Sequence, residues 1–184
     1  MKKLLRYGVL GILAIFFLLA AGCSGAATTQ KESTPPLVAG SPENDVSKQK
    51  LTVYFATKDA NHVAPEVVFV PKTDNPAQVA LEHLLAGPKS ANLLAVATAD
   101  VKLKRIWVKE HTAYLDFSDG LLKKAPGGSA YERLFVGAVV NTLTEFPNIT
   151  SVRFLVEGKN IDTITGHLDL SEPVRRDEAL IKRP

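Results

Sequence analysis

The sequence is poor in cysteine, with one, Cys23, in 184 residues. A single thiol cannot form an intrachain disulfide, so no part of the fold can depend on such a cross-link. Whatever domain the chain forms must therefore be stabilised by its hydrophobic core alone.

The chain also lacks the patterns of metal, nucleotide and hydrolase sites. Its four histidines have no short metal-binding spacing. They are His62, His83, His111 and His167. Gly127-Gly128-Ser129 could bind an anion at a helix N-terminus, but no lysine follows in the Walker position. We expect no metal, no cofactor and no catalytic residues, and we expect Ser129 to cap a helix instead of acting as a nucleophile.

Two acidic residues stand only three positions apart in the sequence. Asp116 and Asp119 could act as an acid and base pair. The simpler interpretation is a strand that runs into a turn, where aspartate bonds to nearby backbone. We favour the turn.

The chain has little excess charge outside its amino-terminal segment. It contains 22 Lys and Arg against 19 Asp and Glu, and three of the basic residues lie within residues 1–22, which hold no acidic one. The remainder has 22 − 3 = 19 basic and 19 acidic residues, a net charge of zero. This balance disfavours a nucleic-acid partner.

Residues 1–22 have the pattern of a secretory signal peptide. Basic residues precede an almost unbroken apolar run, Tyr7 to Ala21, which is short for a membrane span of about 20 residues. Ala20-Ala21-Gly22-Cys23 resembles the lipobox of bacterial lipoproteins, in which the cysteine is acylated and becomes the mature N-terminus. The alternative is an uncleaved membrane anchor. Both place the rest of the chain on the extracytoplasmic face of the cell membrane, and acylation would attach it through the acyl chains on Cys23.

Residues 23–49 hold Cys23 and then a segment rich in small polar residues and proline, without apolar periodicity. We expect a flexible spacer there. Residues 50–184 then form a single domain of ordinary size.

The domain alternates between strand and helix patterns. The predicted elements are strands at 51–55 and 66–70, a helix at 75–87, a hairpin at 103–117, a helix at 129–146 and strands at 152–156 and 161–164. Prolines on both sides of 66–70 predict an edge strand. Segments 90–100 and 118–128 are predicted to be loops, the former with one helical turn at most. The order β-β-α-β-β-α-β-β predicts an α+β fold, a two-layer sandwich with two helices packed on one face of a mixed β-sheet.

Two local patterns concern the hairpin and the second helix. Ser129 and Glu132 have the S-x-x-E spacing of a capping box. In the hairpin, Leu103, Arg105 and Trp107 should share one face. Four cations give this strand a basic edge, which most simply blocks edge pairing but could meet an anionic wall polymer or lipid. They are Lys102, Lys104, Arg105 and Lys109.

Several segments resemble the GerMN domain, which occurs in exported bacterial lipoproteins of sporulation and spore germination. They are HLLAGP (83–88), AYLDFS (113–118), GGSAYE (127–132), NTLTEFPNITSVRFLVEGK (141–159) and GHLDLSEPV (166–174). The resemblance covers about residues 50–175 and implies assembly instead of catalysis. The sporulation lipoprotein that typifies the family carries two such domains in tandem, whereas this chain has room for one.

The sequence leaves two functions open. The first is a non-enzymatic interaction module of the envelope, with an envelope protein or a second copy as partner. The alternative is a lipoprotein that binds cell-wall glycan or a small ligand, using the 118–128 loop and the His167 region. The candidate binding surface comprises Ser129, Tyr131, His167, Asp169 and Glu172.

Overall fold

The computed structural model describes residues 48–182. The predicted signal peptide, Cys23 and the predicted spacer up to residue 47 lie outside the described residues. The strands are β1 (Lys48–Thr57), β2 (Val63–Pro71), β3 (Leu93–Leu94), β4 (Leu103–Lys109), β5 (Thr112–Phe117), β6 (Ser151–Val156), β7 (Lys159–Asn160) and β8 (Val174–Arg175). The helices are α1 (Pro76–Ala86), α2 (Gly120–Lys123) and α3 (Ser129–Leu143), followed near the C-terminus by a 3-10 turn (Glu178–Leu180).

The α+β class is confirmed, and the expected single sheet is divided into two. One sheet has the order β2-β1-β3, and the other has the order β4-β5-β6-β7 with β8 paired to β6. The second sheet is mixed because α3 carries the chain across from β5 to a parallel β6. Both long helices pack against β1 and against each other.

Helix α3 is the centre of the core. Eleven of its 15 residues are buried, so it is covered on nearly all sides. The ring centroid of Phe135 on this helix lies 6.0 Å from that of Phe117 on β5. The Phe117 centroid lies 6.3 Å from that of Phe154 on β6. The same helix contacts β1, and it therefore joins the two sheets through one apolar interior.

The first helix follows its sequence signals. Pro76 occupies the first helical turn and Gly87 is the C-cap with φ of 93°, a conformation that glycine adopts without strain. The predicted edge position of β2 is also confirmed.

The second helix begins differently from the prediction, and the capping box is wrong. Gly128 is the N-cap, no side chain caps the helix, and Ser129 is its first residue. Glu132 does not reach back to the helix start because its carboxylate is bound by a later segment of the chain.

Three further details depart from the sequence patterns. The chain at 161–164 is irregular, and the strand lies at Lys159–Asn160. Short elements, β3 and α2, occur in the two predicted loops. A register shift between Leu103 and Arg105 places Leu103 opposite the buried Phe117, so it does not share a face with Arg105 and Trp107.

Candidate functional site

A buried carboxylate, Glu132, organises the start of α3. Its side chain is fully buried and accepts four hydrogen bonds from a single turn of chain. One oxygen accepts from the Thr163 hydroxyl and the Ile164 N–H, both at 2.7 Å. The other accepts from the Thr165 hydroxyl at 2.8 Å and the His167 N–H at 2.9 Å. This network fastens the 163–167 segment to the helix.

The ionisation of Glu132 reflects two opposing effects. Burial raises the pKa of a carboxyl group, but the hydrogen bonds to its charged form outweigh burial and lower the pKa of Glu132 to about 2. The carboxylate is thus charged at neutral pH and its acceptor sites are occupied. A general acid or base needs a pKa near the working pH, so Glu132 serves structure.

Two members of the predicted binding surface lie beside this network. Ser129 is exposed at the first position of α3. Tyr131 is half-buried, with its ring stacked on Phe135 at 6.1 Å. Its hydroxyl is buried without a hydrogen-bond partner among residues 48–182, and burial raises its pKa.

The other three members do not form one cluster. His167 donates its backbone N–H to the Glu132 carboxylate, and the residue is exposed. Asp169 accepts from the N–H and hydroxyl of Ser171, which is a local turn. Glu172 lies 3.5 Å from the Arg153 guanidinium on β6. The predicted surface therefore divides between the start of α3 and the outer side of the second sheet.

The aspartates at the end of β5 have separate partners. Asp116 is buried and accepts from the Gly158 N–H at 2.7 Å and from Arg105 at 3.1 Å. Burial opposes ionisation of Asp116, but these two partners lower its pKa. Asp119 is exposed and bonds to Lys123 at 2.5 Å. Asp119 therefore fits the turn interpretation, because its partner lies four residues away. Asp116 does not fit it, because its partners lie 42 and 11 residues away in the sequence.

An aromatic surface, exposed at Trp107 and half-buried at Tyr114, lies on the outer side of the five-stranded sheet. Trp107 of β4 is opposite Tyr114 of β5, and their rings stack with centroids 5.2 Å apart and an interplanar angle of 8°. Arg105 places its guanidinium 5.6 Å from the centre of the Trp107 ring. Tyr114 is in turn opposite Arg153 on β6. We call these four residues, Arg105, Trp107, Tyr114 and Arg153, the aromatic face.

The cations on and around the aromatic face are paired with carboxylates. Arg105 bonds to Asp116, Lys104 to Glu157 at 2.5 Å, and Arg153 to Glu172. Lys109 is 3.8 Å from Glu110. The basic edge expected from the sequence is thus largely neutralised, and a polyanion is not the ligand this surface favours.

Two clefts run beside β4, on the side that faces α1. A cleft of about 240 Å³ is bordered by Trp107, Asp74, Asn75, Gln78 and Asn148, together with apolar residues. A second of about 320 Å³ continues along the strand to Lys104 and the end of α1. Within the described sheet β4 is an edge strand, so its outer backbone borders these clefts.

Residues 48–182 contain neither a cluster of metal ligands nor a helix that could span a membrane. Between residues 48 and 182, no three His, Cys, Asp or Glu side chains are placed to hold a metal ion. The helices in this range are too short or too polar to cross a bilayer.

Known proteins share this architecture. A family model described as "Germane: Sporulation and spore germination" matches residues 52–162, more than half of the chain. The chain belongs to the Germane family. No curated protein matches it.

Solved structures with GerMN domains have the same fold as this Germane domain. The first GerMN domain of the sporulation protein GerM from Bacillus subtilis is 25% identical with a TM-score of 0.60, and the match covers 70% of this chain and 98% of that one. The tandem GerMN domains of the same protein are 24% identical with a TM-score of 0.59, covering 69% and 46%. This chain thus spans about half of the tandem structure. A Clostridium perfringens protein assigned as a lipoprotein is 22% identical with a TM-score of 0.51, covering 71% and 89%.

The aromatic face and the Glu132 network differ in how far the Germane match covers them. The residues of the aromatic face all lie within 52–162, whereas the partners of Glu132 begin at Thr163. The sequence could have indicated part of the aromatic face, since Arg105 and Trp107 alternate with apolar residues. The pairing of Tyr114 with Arg153 needed the parallel register.

Proposed function

We propose that this chain is a lipid-anchored, extracytoplasmic Germane protein that acts as a non-enzymatic interaction module of the bacterial envelope, in sporulation or spore germination. The observation that carries the proposal is the aromatic face. Tryptophan, tyrosine and arginine are the residues that most often dominate binding energy at protein interfaces. Here they stand together on the five-stranded sheet, where Arg105 and Trp107 are exposed and Tyr114 and Arg153 are half-buried.

The condition of the titratable groups supports binding over chemistry. Glu132 and Asp116 are buried and hydrogen-bonded, and both remain charged at neutral pH. Asp119 is exposed and paired with a lysine. Nucleophilic catalysis needs a nucleophile, a base and a group that orients the base, and these three carboxylates form no such set.

The anchor is supported by the sequence around Cys23. A signal-like segment ends in a cysteine, and the composition of residues 24–47 predicts a spacer long enough to separate a domain from a membrane. The assignment of the Clostridium perfringens protein as a lipoprotein agrees with this part of the proposal. Cell fractionation with a Cys23→Ser variant tests it. Loss of processing and of membrane retention is expected, and unchanged processing and retention would refute acylation at Cys23.

The interaction role is tested by capture from the membranes of the protein's own cells, together with sedimentation to detect a second copy. Trp107→Ala should weaken the association at least thirtyfold, since a hot-spot residue contributes about 2 kcal/mol or more. Leu122→Ala is the matched control, because Leu122 is 40% exposed and Trp107 is 39% exposed. Equal association by both variants would refute the aromatic face as the contact surface.

A second candidate, binding of cell-wall glycan, is favoured by the smaller cleft. Trp107 borders this cleft together with the amide residues Asn75, Gln78 and Asn148. Sugars stack on aromatic rings and bond to amides, and the volume of about 240 Å³ is below the usual range of ligand pockets, so one sugar ring is the most it would enclose.

Trp107 is the only tryptophan of the chain and reports directly on such binding. Purified wall fragments should change its fluorescence, and Gln78→Ala with Asn148→Ala should abolish the change. No fluorescence change and no retention on wall material, combined with capture of a protein, would exclude the glycan.

A further inference from the structure

The most exposed large apolar side chain within residues 48–182 is Phe69, at 64%. It lies on β2 next to Val67, which is 46% exposed on the same face of the three-stranded sheet. Lys50 of β1 is directly opposite Phe69, and Pro71 and Lys72 follow at the end of β2. We call Lys50, Val67, Phe69, Pro71 and Lys72 the Phe69 patch.

The exposure of this patch does not come from a frayed strand. β1 and β2 pair in continuous register from Lys48–Pro71 to Ala56–Val63. The alternate residues of the same strands, which include Leu51, Val68 and Val70, are buried in the core. Unpaired edge strands and exposed apolar patches are typical sites of contact with another molecule or a membrane, and β2 combines the two features.

The patch lies where the chain joins the domain. β1 begins at Lys48, and its first residues pair with the end of β2 that carries Phe69. The 24 residues from 24 to 47 separate this point from Cys23. A spacer of that length, as their composition predicts, would have a mean reach of about 25–30 Å, so an acylated Cys23 would keep the patch close to a membrane.

We propose that the Phe69 patch docks the domain onto the surface of the anionic bilayer that holds its anchor. The inference rests on the lipid anchor put forward in the proposed function. Apolar side chains enter the boundary between headgroups and acyl chains, and flanking lysines are attracted to anionic lipids. Lys50 is exposed directly opposite Phe69, Lys72 is exposed just after the end of β2, and the two lysines supply that charge.

Docking of this kind is weak alone and becomes effective through the anchor. The anchor raises the effective concentration of the bilayer at the patch, as a linker does for a second binding module. The domain would then lie against the membrane on its three-stranded sheet, with an orientation set by β2.

The experiment uses the full lipidated protein reconstituted in vesicles of phosphatidylglycerol and phosphatidylcholine, or of phosphatidylcholine alone. Flotation reports whether the anchor holds the protein. An amine-reactive label read by mass spectrometry then reports the access to each lysine. Lys58 is the internal reference, because it is exposed in the turn at the other end of β1, about 30 Å from Lys48.

Lys50 and Lys72 should react about fivefold more slowly on the anionic vesicles than on the neutral ones, while Lys58 keeps its rate. High salt should remove the difference because it screens the lysines. Phe69→Ser should abolish the protection. Leu94→Ser is the matched control, since Leu94 is 42% exposed and pairs with Ala56 at the far end of β1.

Equal labelling of these lysines on both kinds of vesicle, with normal flotation, would overturn the docking proposal and leave the anchor intact. Failure to float would refute the anchor and, with it, the premise of docking. Protection that rises with protein density and is the same on neutral vesicles would assign the patch to a second copy of the chain and also overturn the proposal.

Discussion

Replacement of Glu132 by glutamine should destabilise the domain strongly and change its response to acid. Glutamine keeps the shape of the side chain but presents an NH₂ group where one carboxylate oxygen accepted two hydrogen bonds. Either the Ile164 N–H or the His167 N–H would then face another donor inside the core. A buried donor without an acceptor costs about 1–3 kcal/mol, and more when a charged partner has been removed.

The lowered pKa of Glu132 expresses the same hydrogen bonds as a free energy. The pKa of Glu132 falls from 4.5 to about 2, and each pH unit corresponds to about 1.4 kcal/mol, which gives roughly 3 kcal/mol of stability at neutral pH. Because the folded-state pKa is depressed, this contribution is complete above about pH 4.5. It is lost progressively as the pH falls toward about 2.

Urea unfolding followed by Trp107 fluorescence and circular dichroism measures the effect. We expect Glu132→Gln to lose roughly 3 kcal/mol at pH 7, and the difference from the unaltered protein should shrink between about pH 4.5 and 2. Glu82→Gln is the control, since Glu82 is exposed on α1 and bonds to Gln78. A loss at pH 7 no larger than that of the control, or a difference that does not change with pH, would refute the reasoning.

Three other substitutions examine different parts of the interior. Tyr131→Phe should leave the free energy of unfolding unchanged or raise it by up to about 1 kcal/mol, because the buried hydroxyl has no partner among the described residues; a clear loss on urea unfolding would show that it bonds to something. Gly120→Ala should lower the free energy of unfolding by about 1–3 kcal/mol and the melting temperature by several degrees, because the new Cβ would lie 2.2 Å from the Asp100 carbonyl oxygen. An unchanged melting temperature would contradict that packing. Asn141→Ala should cost about 2–3 kcal/mol, because the buried amide bonds to both the N–H and the carbonyl of Asp177; a loss below about 0.5 kcal/mol would mean that this clamp contributes little.

The extent to which the site was predictable differs between its parts. The hairpin that carries Trp107 and Tyr114 is local, and strand alternation alone places Arg105 and Trp107 on one face. The pairing of Tyr114 with Arg153 joins residues on separate strands across the α3 crossover. Such a register depends on how the helix returns the chain to the sheet, and the sequence pattern does not contain it.

Glu132 shows how a local signal can mislead. Its spacing from Ser129 matches a capping box, a motif that needs only one helical turn. In the structure the carboxylate has four donors that lie 31 to 35 residues further along the chain. Four hydrogen bonds to a buried charge stabilise the fold more than one hydrogen bond at an exposed helix start. The tertiary contact of Glu132 therefore forms in place of the local cap.

The sequence by itself determined the α+β class, most element positions, the edge position of β2 and the resemblance to the GerMN domain. These features rest on interactions within a few residues, such as strand alternation, helix periodicity and proline at a helix start. Only the tertiary structure decided the division into two sheets, the burial of Glu132 and the exposure of Trp107 and Phe69. Each of these features depends on which distant segments cover a side chain. An alternating pattern predicts that a strand has two different faces, but it does not predict which face another part of the chain will cover.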